Sequence, residues 1–369
     1  MARPLTALPA VPGPELQAAL LAALDGTGPA LLPLPTDPVQ ARRVRAALRP
    51  EEPEADEEVA LVISTSGSTG EPKGVLLTAA CLTASARAAE QRLGGPAAWL
   101  LPLPVTHIGG MQVLLRALLA GAPPVVTTDL AAGTAQLPPG RRHTSLVPTQ
   151  LRRALDDPAA RAALATYDAV LIGGAAAPLS LMAEAEEAGV RAVKTYGMSE
   201  TSGGCVYDGV PLPGVRAEVG ERIALSGPVV ARGYRLRPDL TAESFDGDTF
   251  TTSDLGRWDG ERLMVIGRVD DVVVTGGEKV APGAVEEALA AHPAVSEAVV
   301  VGVPDPVWGA RVVAHVVLRP GAALGLAEAR EHVAARLGRV AAPRELRVLD
   351  EIPLLASGKP DRTTLRSRS

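Results

Sequence analysis

The sequence predicts an α/β protein with a large N-terminal domain that contains parallel-rich sheets and a small C-terminal α+β domain. Three observations support this fold class. The 369 residues are enough for two domains. Short apolar strands alternate with helical patterns between about residues 59 and 195, which is typical of βαβ units. Beyond about residue 216, short β-like segments with glycine turns replace that alternation.

Apolar periodicity and capping residues predict the individual elements. The predicted helices cover residues 15–24, 38–48, 79–92 (capped by Thr78), 111–119, 178–188, 282–291 and 326–337. The predicted strands cover residues 60–64, 124–127, 169–172, 190–195, 295–301 and 312–318. The acidic run at 51–58 is expected to be a solvated loop. The predicted domains are 1–269 and 270–369.

Composition excludes several classes of protein. Hydrophobic residues make up 47% and charged residues 21%, which suits a folded globular chain rather than a disordered one. With 36 Lys+Arg against 42 Asp+Glu, the net charge of −6 gives no basic surface for nucleic acid. No apolar run reaches the ~18 residues that a membrane span needs. Two cysteines and a poor secretory signal predict a reduced, cytoplasmic location. The oligomeric state stays open, with a homodimer among the alternatives.

The richest candidate site is the string TSGSTGEPKG at residues 65–74. Its glycines let backbone N–H groups approach an anion, its hydroxyls add donors, and its lysine adds charge. The string predicts a phosphate cradle, although it lacks the GK[ST] ending of a Walker loop. The alternative is a hydroxyl-rich surface loop. The candidate residues are Thr65, Ser66, Gly67, Ser68, Thr69, Gly70 and Lys73.

Two further loops follow predicted strands. In Tyr196–Thr201, the tyrosine face could stack on a purine, while Ser199 and Glu200 could meet a phosphate and its Mg²⁺. In the second loop, Asp254 could accept hydrogen bonds from both ribose hydroxyls. The alternatives are a tyrosine that packs at a strand end and an aspartate in a turn.

Residues near the predicted domain junction form another group. Arg268 and Asp270 suit a hinge, and Gly276–Gly277 suits close backbone approach, although a polar hairpin explains them equally. Lysine occurs only four times, at positions 73, 194, 279 and 359, whereas the other 32 basic residues are arginine. Lys359, in a glycine-bracketed loop, is either a mobile active-site lysine or a simple tail lysine.

Six strings together carry a family resemblance: TSGSTGEPKG, LPLPVTHIGG, YGMSET, TTSDLGRWDG, GRVDDVVVTGGEKV and SGKPDR. Their order resembles that of the ANL superfamily of adenylate-forming enzymes, over about residues 64–362. The short N-terminal portion, the arginine nine residues after His107 and the string YGMSETSGGCVYDGVPLPGV resemble the o-succinylbenzoate:CoA ligases of menaquinone biosynthesis, particularly the actinobacterial ones. Another aryl- or acyl-CoA ligase is the alternative. A carrier-loading module and an inactive nucleotide-binding regulator are less well supported, because no carrier is fused and the key residues are present.

The resemblance implies an acid–thiol ligase that binds ATP, Mg²⁺, coenzyme A and o-succinylbenzoate. It implies that Lys359 acts at the α-phosphate, Glu200 ligates Mg²⁺, His107 gates or lines the acyl site, and the small domain rotates about Asp270. The implied nucleotide-binding residues are the cradle residues together with Gly174, Tyr196, Gly197, Met198, Ser199, Asp254 and Arg268. The implied coenzyme A residues are Gly276, Gly277, Lys279 and Trp308.

For the acyl substrate, the resemblance implies His107, Arg116, Gly203 and Gly204. Arg116 is the candidate partner of the second carboxylate, and a surface arginine is the alternative. The glycine pair is expected to leave room for the aromatic ring. Two departures from the family pattern are Ser199, where threonine is common, and Pro360 after the lysine.

Overall fold

A computed structural model describes residues 2–54, 56–66, 71–355 and 360–367, with only the backbone of Ser66. Its mixed sheets and helices confirm the predicted fold class. The chain forms two compact units. The first contains Met1–Gly174, Ala185–Glu218 and Ala224–Thr252, and the second contains Ala175–Glu184, Val219–Ile223 and Ser253–Ser369.

Helices and strands alternate along most of the chain. The helices are α1 Pro14–Leu24, α2 Pro38–Leu48, α3 Ala79–Arg92, α4 Ile108–Leu119, α5 Leu130–Gln136, α6 Pro148–Asp156, α7 Pro158–Leu164, α8 Leu179–Glu187, α9 Pro238–Ser244, α10 Pro282–Ala290, α11 Leu326–Leu337 and α12 Arg362–Ser367. Strands before the second unit's hairpin are β1 Leu5–Pro9, β2 Ala30–Leu34, β3 Val59–Ser66, β4 Pro72–Thr78, β5 Ala98–Leu101, β6 Val125–Val126, β7 Arg142–Leu146, β8 Ala169–Ile172, β9 Ala192–Met198, β10 Gly203–Tyr207, β11 Val210–Pro211, β12 Arg216–Val219, β13 Ile223–Ser226, β14 Gly233–Tyr234, β15 Phe245–Asp246 and β16 Thr249–Thr251. The remaining strands are β17 Asp254–Asp259, β18 Arg262–Arg268, β19 Val273–Thr275, β20 Glu278–Val280, β21 Val295–Asp305, β22 Gly309–Leu318 and β23 Glu345–Val348.

The sheet of the first unit that carries the phosphate-loop arms has the order β1-β2-β3-β4-β14. Its first three strands are parallel, while β3 and β4 form an antiparallel pair that flanks residues 67–70. Leu32, Val44, Leu48 and Val62 belong to a buried cluster that joins this sheet to α2. The two arms of the loop are therefore anchored in a core.

The larger sheet of the first unit has the order β11-β10-β9-β8-β7-β5-β6. Strands β6, β5, β7, β8 and β9 run parallel, and β10 returns antiparallel beside β9. This arrangement confirms the predicted βαβ units. It also places the ends of β8 and β9 at one edge, where ligands of such sheets bind.

The second unit contains the two-stranded sheet β17-β18 and a mixed sheet of order β20-β19-β22-β21, with β23 beside β22. Helices α10 and α11 share a valine- and leucine-rich core with that mixed sheet. The order of strands and helices from β19 onward confirms the predicted α+β character.

Three smaller elements complete the fold. Two are the 3₁₀ helices Ser199–Thr201 and Val269–Asp271, and the third is a four-stranded sheet of order β12-β13-β16-β15.

Capping residues explain where two helices begin. The Asp37 side chain accepts hydrogen bonds from the backbone N–H groups of Val39 and Gln40 at the start of α2. The Thr78 side chain accepts from the N–H of Cys81 at the start of α3, as predicted. No helix in the described part of the chain is both long enough and apolar enough to cross a bilayer.

Two expectations about residues 51–78 need correction. Residues 72–78, for which the sequence predicts no strand, form β4. This strand lies between β3 and β14 and pairs with both. The acidic run is not wholly solvated, since Glu54 is buried and forms an ion pair with Arg235 at 2.7 Å.

Candidate nucleotide- and acyl-binding site

The arms of the phosphate loop are held in register by the β3–β4 pair. Thr65 is opposite Lys73, and Ser66 is opposite Pro72. The hydroxyl of Thr65 donates to the carbonyl of Lys73 at 3.5 Å. Gly67, Ser68, Thr69 and Gly70 lie outside the described residues, so their predicted contacts with phosphate stay a prediction.

A rigid turn follows β9. The Thr201 hydroxyl donates to the carbonyl of Gly203 at 2.9 Å and accepts from the N–H of Met198 at 3.0 Å. The next residue, Ser202, has a left-handed backbone with φ 55°, and its hydroxyl donates to the carbonyl of Val229. These contacts fix the turn that carries Ser199 and Glu200.

Glu200 has a partner that the sequence reading missed. The hydroxyl of Tyr234 donates to Glu200 Oε1 at 2.8 Å, and Lys73 Nζ lies 5.4 Å from the centre of the Tyr234 ring. Burial raises the pKa of Tyr234, and the Glu200 carboxylate raises it further, so the hydroxyl keeps its proton. The sequence signal that could have pointed to Tyr234 is the rarity of tyrosine, which occurs only four times in the chain.

The residues around Glu200 fit a nucleotide-bound Mg²⁺ better than a protein-caged metal. In the described ranges, no group of three or more His, Cys, Asp or Glu side chains could hold a metal ion. Mg²⁺ on a nucleotide typically takes one or two carboxylates and completes its shell with phosphates and waters. One carboxylate at the edge of the sheet, fixed by a tyrosine, matches that requirement.

Glycines at the same edge permit close packing of the chain on itself. A Cβ on Gly197 would lie 2.2 Å from the carbonyl oxygen of Gly203, so β9 and β10 can pair there only without a side chain. Gly174 has φ +80°, which favours glycine, at the end of the segment after β8. These observations give a structural reason for glycine at positions 174 and 197. The contacts of Gly174 and Gly197 with nucleotide stay a prediction.

Helix α4 packs along β10, and this contact brings several predicted acyl-site residues together. His107 is the N-cap residue of α4. A Cβ on Gly203 would lie 3.3 Å from Gln112 Cγ, and one on Gly204 would lie 3.2 Å from Thr195 Cβ. The glycine pair therefore lies against the protein's own side chains, and its predicted role in making room for a ring stays a prediction.

Arg116 is buried, with 6% of its surface exposed, rather than the surface arginine that was the alternative. Its guanidinium lies 5.6 Å from the Trp99 ring centre, and its Nε has no hydrogen-bond partner among the described residues. Burial raises the pKa of Tyr207, while the nearby charge of Arg116 lowers it. The cation is thus held in the interior of the first unit by aromatic side chains, and no described carboxylate pairs with it.

The second unit brings three other predicted residues together. Asp254 and Arg268 are directly opposite each other in the β17–β18 pair, with Arg268 Nη1 3.6 Å from Asp254 Oδ1. Arg268 Nη2 lies 3.3 Å from Asp270 Oδ2. Asp254 is buried whereas Asp270 is exposed, so Arg268 links a sheltered carboxylate to an exposed one. This geometry is compatible with the predicted ribose and hinge roles, which stay predictions.

Within the same unit, Trp308 lies over the predicted glycine loop. The Gly276 N–H donates to the carbonyl of Trp308 at 2.9 Å, and a Cβ on Gly276 would lie 3.0 Å from the Trp308 ring. Arg344 stacks on the Trp308 ring, with its Cζ 3.7 Å from the ring centre. Gly277 is in the turn between β19 and β20, and Lys279 is the middle residue of β20, opposite Val274. Lys359 lies outside the described residues.

Two protein-family models match this chain, one in its N-terminal part and one in its C-terminal part. The model of the AMP-binding enzyme family matches residues 14–235, and that of the AMP-binding enzyme C-terminal domain matches residues 284–359. The chain belongs to the AMP-binding enzyme family. Its pair of matches corresponds to a large N-terminal part and a small C-terminal part.

Proteins of similar sequence include several CoA ligases. A probable 2-succinylbenzoate--CoA ligase of Mycobacterium tuberculosis is 49% identical over 378 residues, covering 97% of each chain. A 2-succinylbenzoate--CoA ligase of Geobacillus kaustophilus is 33% identical, covering 84% of this chain and 69% of that protein.

The fold is also similar to solved structures of a CoA synthetase and an amide bond synthetase. The o-succinylbenzoate CoA synthetase MenE of Bacillus subtilis, in complex with the acyl-adenylate intermediate OSB-AMP, has a TM-score of 0.74 and 27% identity over 98% of this chain and 83% of that one. The amide bond synthetase McbA of Marinactinospora thermotolerans has a TM-score of 0.78 and 26% identity, covering 100% and 83%.

Proposed function

We propose that this protein is a 2-succinylbenzoate--CoA ligase that works through an acyl-adenylate. The relative from Mycobacterium tuberculosis supports the proposal, because its similarity extends over 97% of both chains. The single structural observation that carries it is Arg116, a buried cation with no carboxylate partner among the described residues.

The reaction has two steps. In the first, a carboxylate oxygen of the substrate attacks the α-phosphorus of ATP, a P–O bond forms, and the bond to the departing pyrophosphate breaks. In the second, the thiolate of coenzyme A attacks the acyl carbon, a C–S bond forms, and AMP leaves with the oxygen. No base is needed to activate the carboxylic acid, because it is already ionised at pH 7.

The chemical obstacle in the first step is the meeting of two anions, so the site must supply positive charge and N–H donors. Lys73 lies on the arm of the phosphate loop, and Lys359 is the proposed cation at the α-phosphate. A bound Mg²⁺ would neutralise phosphate charge beside Glu200. In the second unit, Asp254 is proposed to hold the ribose, with Arg268 as its support.

Arg116 gives a reason for a substrate with two carboxylates. An isolated buried charge is costly, and a partner of opposite charge removes most of that cost. The activated carboxylate must reach the nucleotide at the end of β9, whereas Arg116 lies nine residues along α4 from His107. At ~1.5 Å per residue, this is about 13 Å from the start of the helix. A second carboxylate at the far end of the substrate would neutralise Arg116, directly or through water.

The test of the function is a pyrophosphate-release assay with ATP, coenzyme A and a panel of acids. We expect o-succinylbenzoate to be used with a far higher kcat/KM than benzoate or medium-chain fatty acids. A preference for a monocarboxylate would contradict the proposal and favour another acyl-CoA ligase of the same fold.

Replacement of Arg116 tests the role of the buried cation. Arg116→Met keeps the bulk of the side chain and removes its charge, so we expect KM for o-succinylbenzoate to rise about 10- to 100-fold. The affinity for ATP should not change. Arg191→Met is the matched control, because Arg191 is exposed and pairs with Asp168. Unchanged kinetics with the diacid in Arg116→Met would remove Arg116 from the substrate site.

Location and assembly are proposed from the sequence. A cytoplasmic location suits two cysteines that are buried and unpaired. A homodimer is one candidate state, which sedimentation of the purified protein would decide.

A further inference from the structure

Tyr234 joins two residues of the proposed nucleotide site without belonging to any of the motifs that define it. Its hydroxyl reaches Glu200, and its ring lies beside the ammonium of Lys73. These partners come from different parts of the first unit, since Lys73 is on β4 and Glu200 is in the turn after β9. Only 7% of the tyrosine surface is exposed.

The backbone of Tyr234 is fixed against β4. Tyr234 is paired with Val75 in the short β14–β4 ladder, and the Arg235 N–H donates to the carbonyl of Gly74 at 2.8 Å. On the other side, the Tyr234 N–H donates to the Thr241 hydroxyl at 2.9 Å. A side chain on Gly233 would collide with Thr241, because its Cβ would lie 2.4 Å from Thr241 Cγ2. The tyrosine is therefore attached to the same strand that carries Lys73.

The ring of Tyr234 is fixed as well. It meets Phe245 edge-to-face at 5.3 Å, and Phe245 in turn packs on Phe250 at 4.9 Å. The chain has only two phenylalanines, and both support this ring. A ring held on its backbone and on its edge can direct its hydroxyl to one place.

We propose that Tyr234 is a positioning residue for MgATP: its hydroxyl orients the Glu200 carboxylate toward the metal, and its ring holds the Lys73 ammonium beside the phosphates. This inference rests on the proposed function. Groups that orient a metal ligand typically contribute ~10- to 100-fold to metal affinity. A cation held over a ring face is attracted by the electrons of the ring, so the Tyr234 ring favours the observed place of the Lys73 ammonium.

Two substitutions separate the hydroxyl from the ring. Tyr234→Phe keeps the ring and removes the donor to Glu200, so the Mg²⁺ concentration that half-saturates ATP binding should rise about 10-fold or more. Its ATP affinity in EDTA should stay at the wild-type value. Tyr234→Leu removes the ring too, so ATP affinity in EDTA should also fall.

The measurement is isothermal titration calorimetry of ATP into the full-length protein, at a series of MgCl₂ concentrations and in EDTA. No acyl substrate is needed. Tyr167→Phe is the matched control, because the buried Tyr167 hydroxyl bonds Thr134 at 2.8 Å, and it should leave both titrations unchanged. Thermal unfolding of each variant shows whether it is folded.

A double-mutant cycle tests the route through Glu200. If the hydroxyl acts by orienting Glu200, Tyr234→Phe should have no further effect on Mg²⁺ dependence in a Glu200→Gln background. An unchanged Mg²⁺ dependence in Tyr234→Phe would overturn the inference. So would an equal loss of ATP affinity with and without Mg²⁺, which would indicate general damage.

Failure of this inference is distinguishable from failure of the proposed function. The substrate assignment fails if wild-type enzyme prefers a monocarboxylate. The inference about Tyr234 fails through ATP titrations alone, whatever the acyl substrate is.

Discussion

At the scale of single residues, burial governs the chemistry of several side chains in the first unit. His143 on β7 is 1% exposed and meets the Trp99 ring edge-to-face at 5.0 Å. Burial, and to a smaller extent the nearby charge of Arg141, lowers its pKa from 6.5 to about 4. In the folded protein, His143 is therefore neutral at pH values where the same side chain in an unfolded chain is charged.

This difference predicts a pH dependence of stability. Between about pH 6.5 and pH 4, the unfolded chain binds a proton at His143 that the folded protein does not, so stability falls as pH falls. The contribution approaches about 1.4 kcal/mol per pH unit within that window. His143→Leu removes it, so the free energy of unfolding of the variant should improve relative to wild type from pH 7.5 to pH 5.

Urea unfolding at a series of pH values measures this difference, because the other titrating groups cancel between the two proteins. A difference that stays constant with pH would show that His143 does not cause the effect.

Residue chemistry also limited what sequence alone could predict. Arg116 was identified through the family resemblance, as the arginine nine residues after His107, and the structure shows that it is buried. The contact between Tyr234 and Glu200 was not predictable, because it joins residues 34 positions apart through the register of β14 on β4. Glu54 was misjudged for the same reason, since its partner Arg235 is 181 residues away.

At the scale of elements, one ion pair ties the segment after α2 to β14. Arg235 is 2% exposed at its side chain and Glu54 is 7% exposed. The Arg235 guanidinium also donates to the carbonyls of Leu48, Arg49 and Glu52. This one side chain, together with the backbone bridge between Arg3 and Glu54, therefore holds the segment that follows α2.

Replacing Arg235 by an uncharged residue should lower the free energy of unfolding. Arg235→Met removes the buried ion pair with the Glu54 carboxylate and the guanidinium donors to three carbonyls, so we expect a loss of about 3–5 kcal/mol in the free energy of unfolding. The control is Arg237→Met, whose pair with Asp239 is exposed to solvent and should therefore contribute far less to stability. Chemical denaturation compares the two variants, and equal effects would contradict the importance of burial.

Among the elements, helices were predicted more closely than strands. Periodicity and caps located α2 and α11 at their observed bounds, and β8 matched as a continuous apolar run. Strand β4 was missed, because a hydroxyl- and glycine-rich string before it suggested a loop that leads directly into α3. The two-residue β14 carries no periodic signal, since its formation depends on β4 as its partner.

At the scale of the whole molecule, the chain has two units with separate cores. The hairpin β17–β18, which carries Asp254 and Arg268, belongs to the second unit. The predicted boundary at residue 270 and the pivot at Asp270 stay predictions, because the extent of a compact unit does not locate the point about which it rotates.

The two proposed steps should separate by mutation of the second unit. Lys359→Ala should slow formation of the acyl-adenylate about 100-fold or more while sparing thioester formation from preformed adenylate. Asp270→Pro should do the opposite, because a rigid residue at the pivot hinders the second step. Single-turnover assays of each half-reaction measure this. An equal loss of both halves in Lys359→Ala, or a fully active Asp270→Pro, would contradict the assignment.

Both native thiols are shielded, with Cys81 3% exposed and Cys205 fully enclosed, and burial raises the pKa of Cys205 to about 12. Maleimide dyes react with thiolates at accessible sulfur, so they should leave the native protein unlabelled. A fluorophore pair attached to one engineered surface cysteine in each unit would then report interdomain distances against a silent background. Energy transfer in single molecules would then test whether the second unit rotates during turnover, without first removing any natural cysteine.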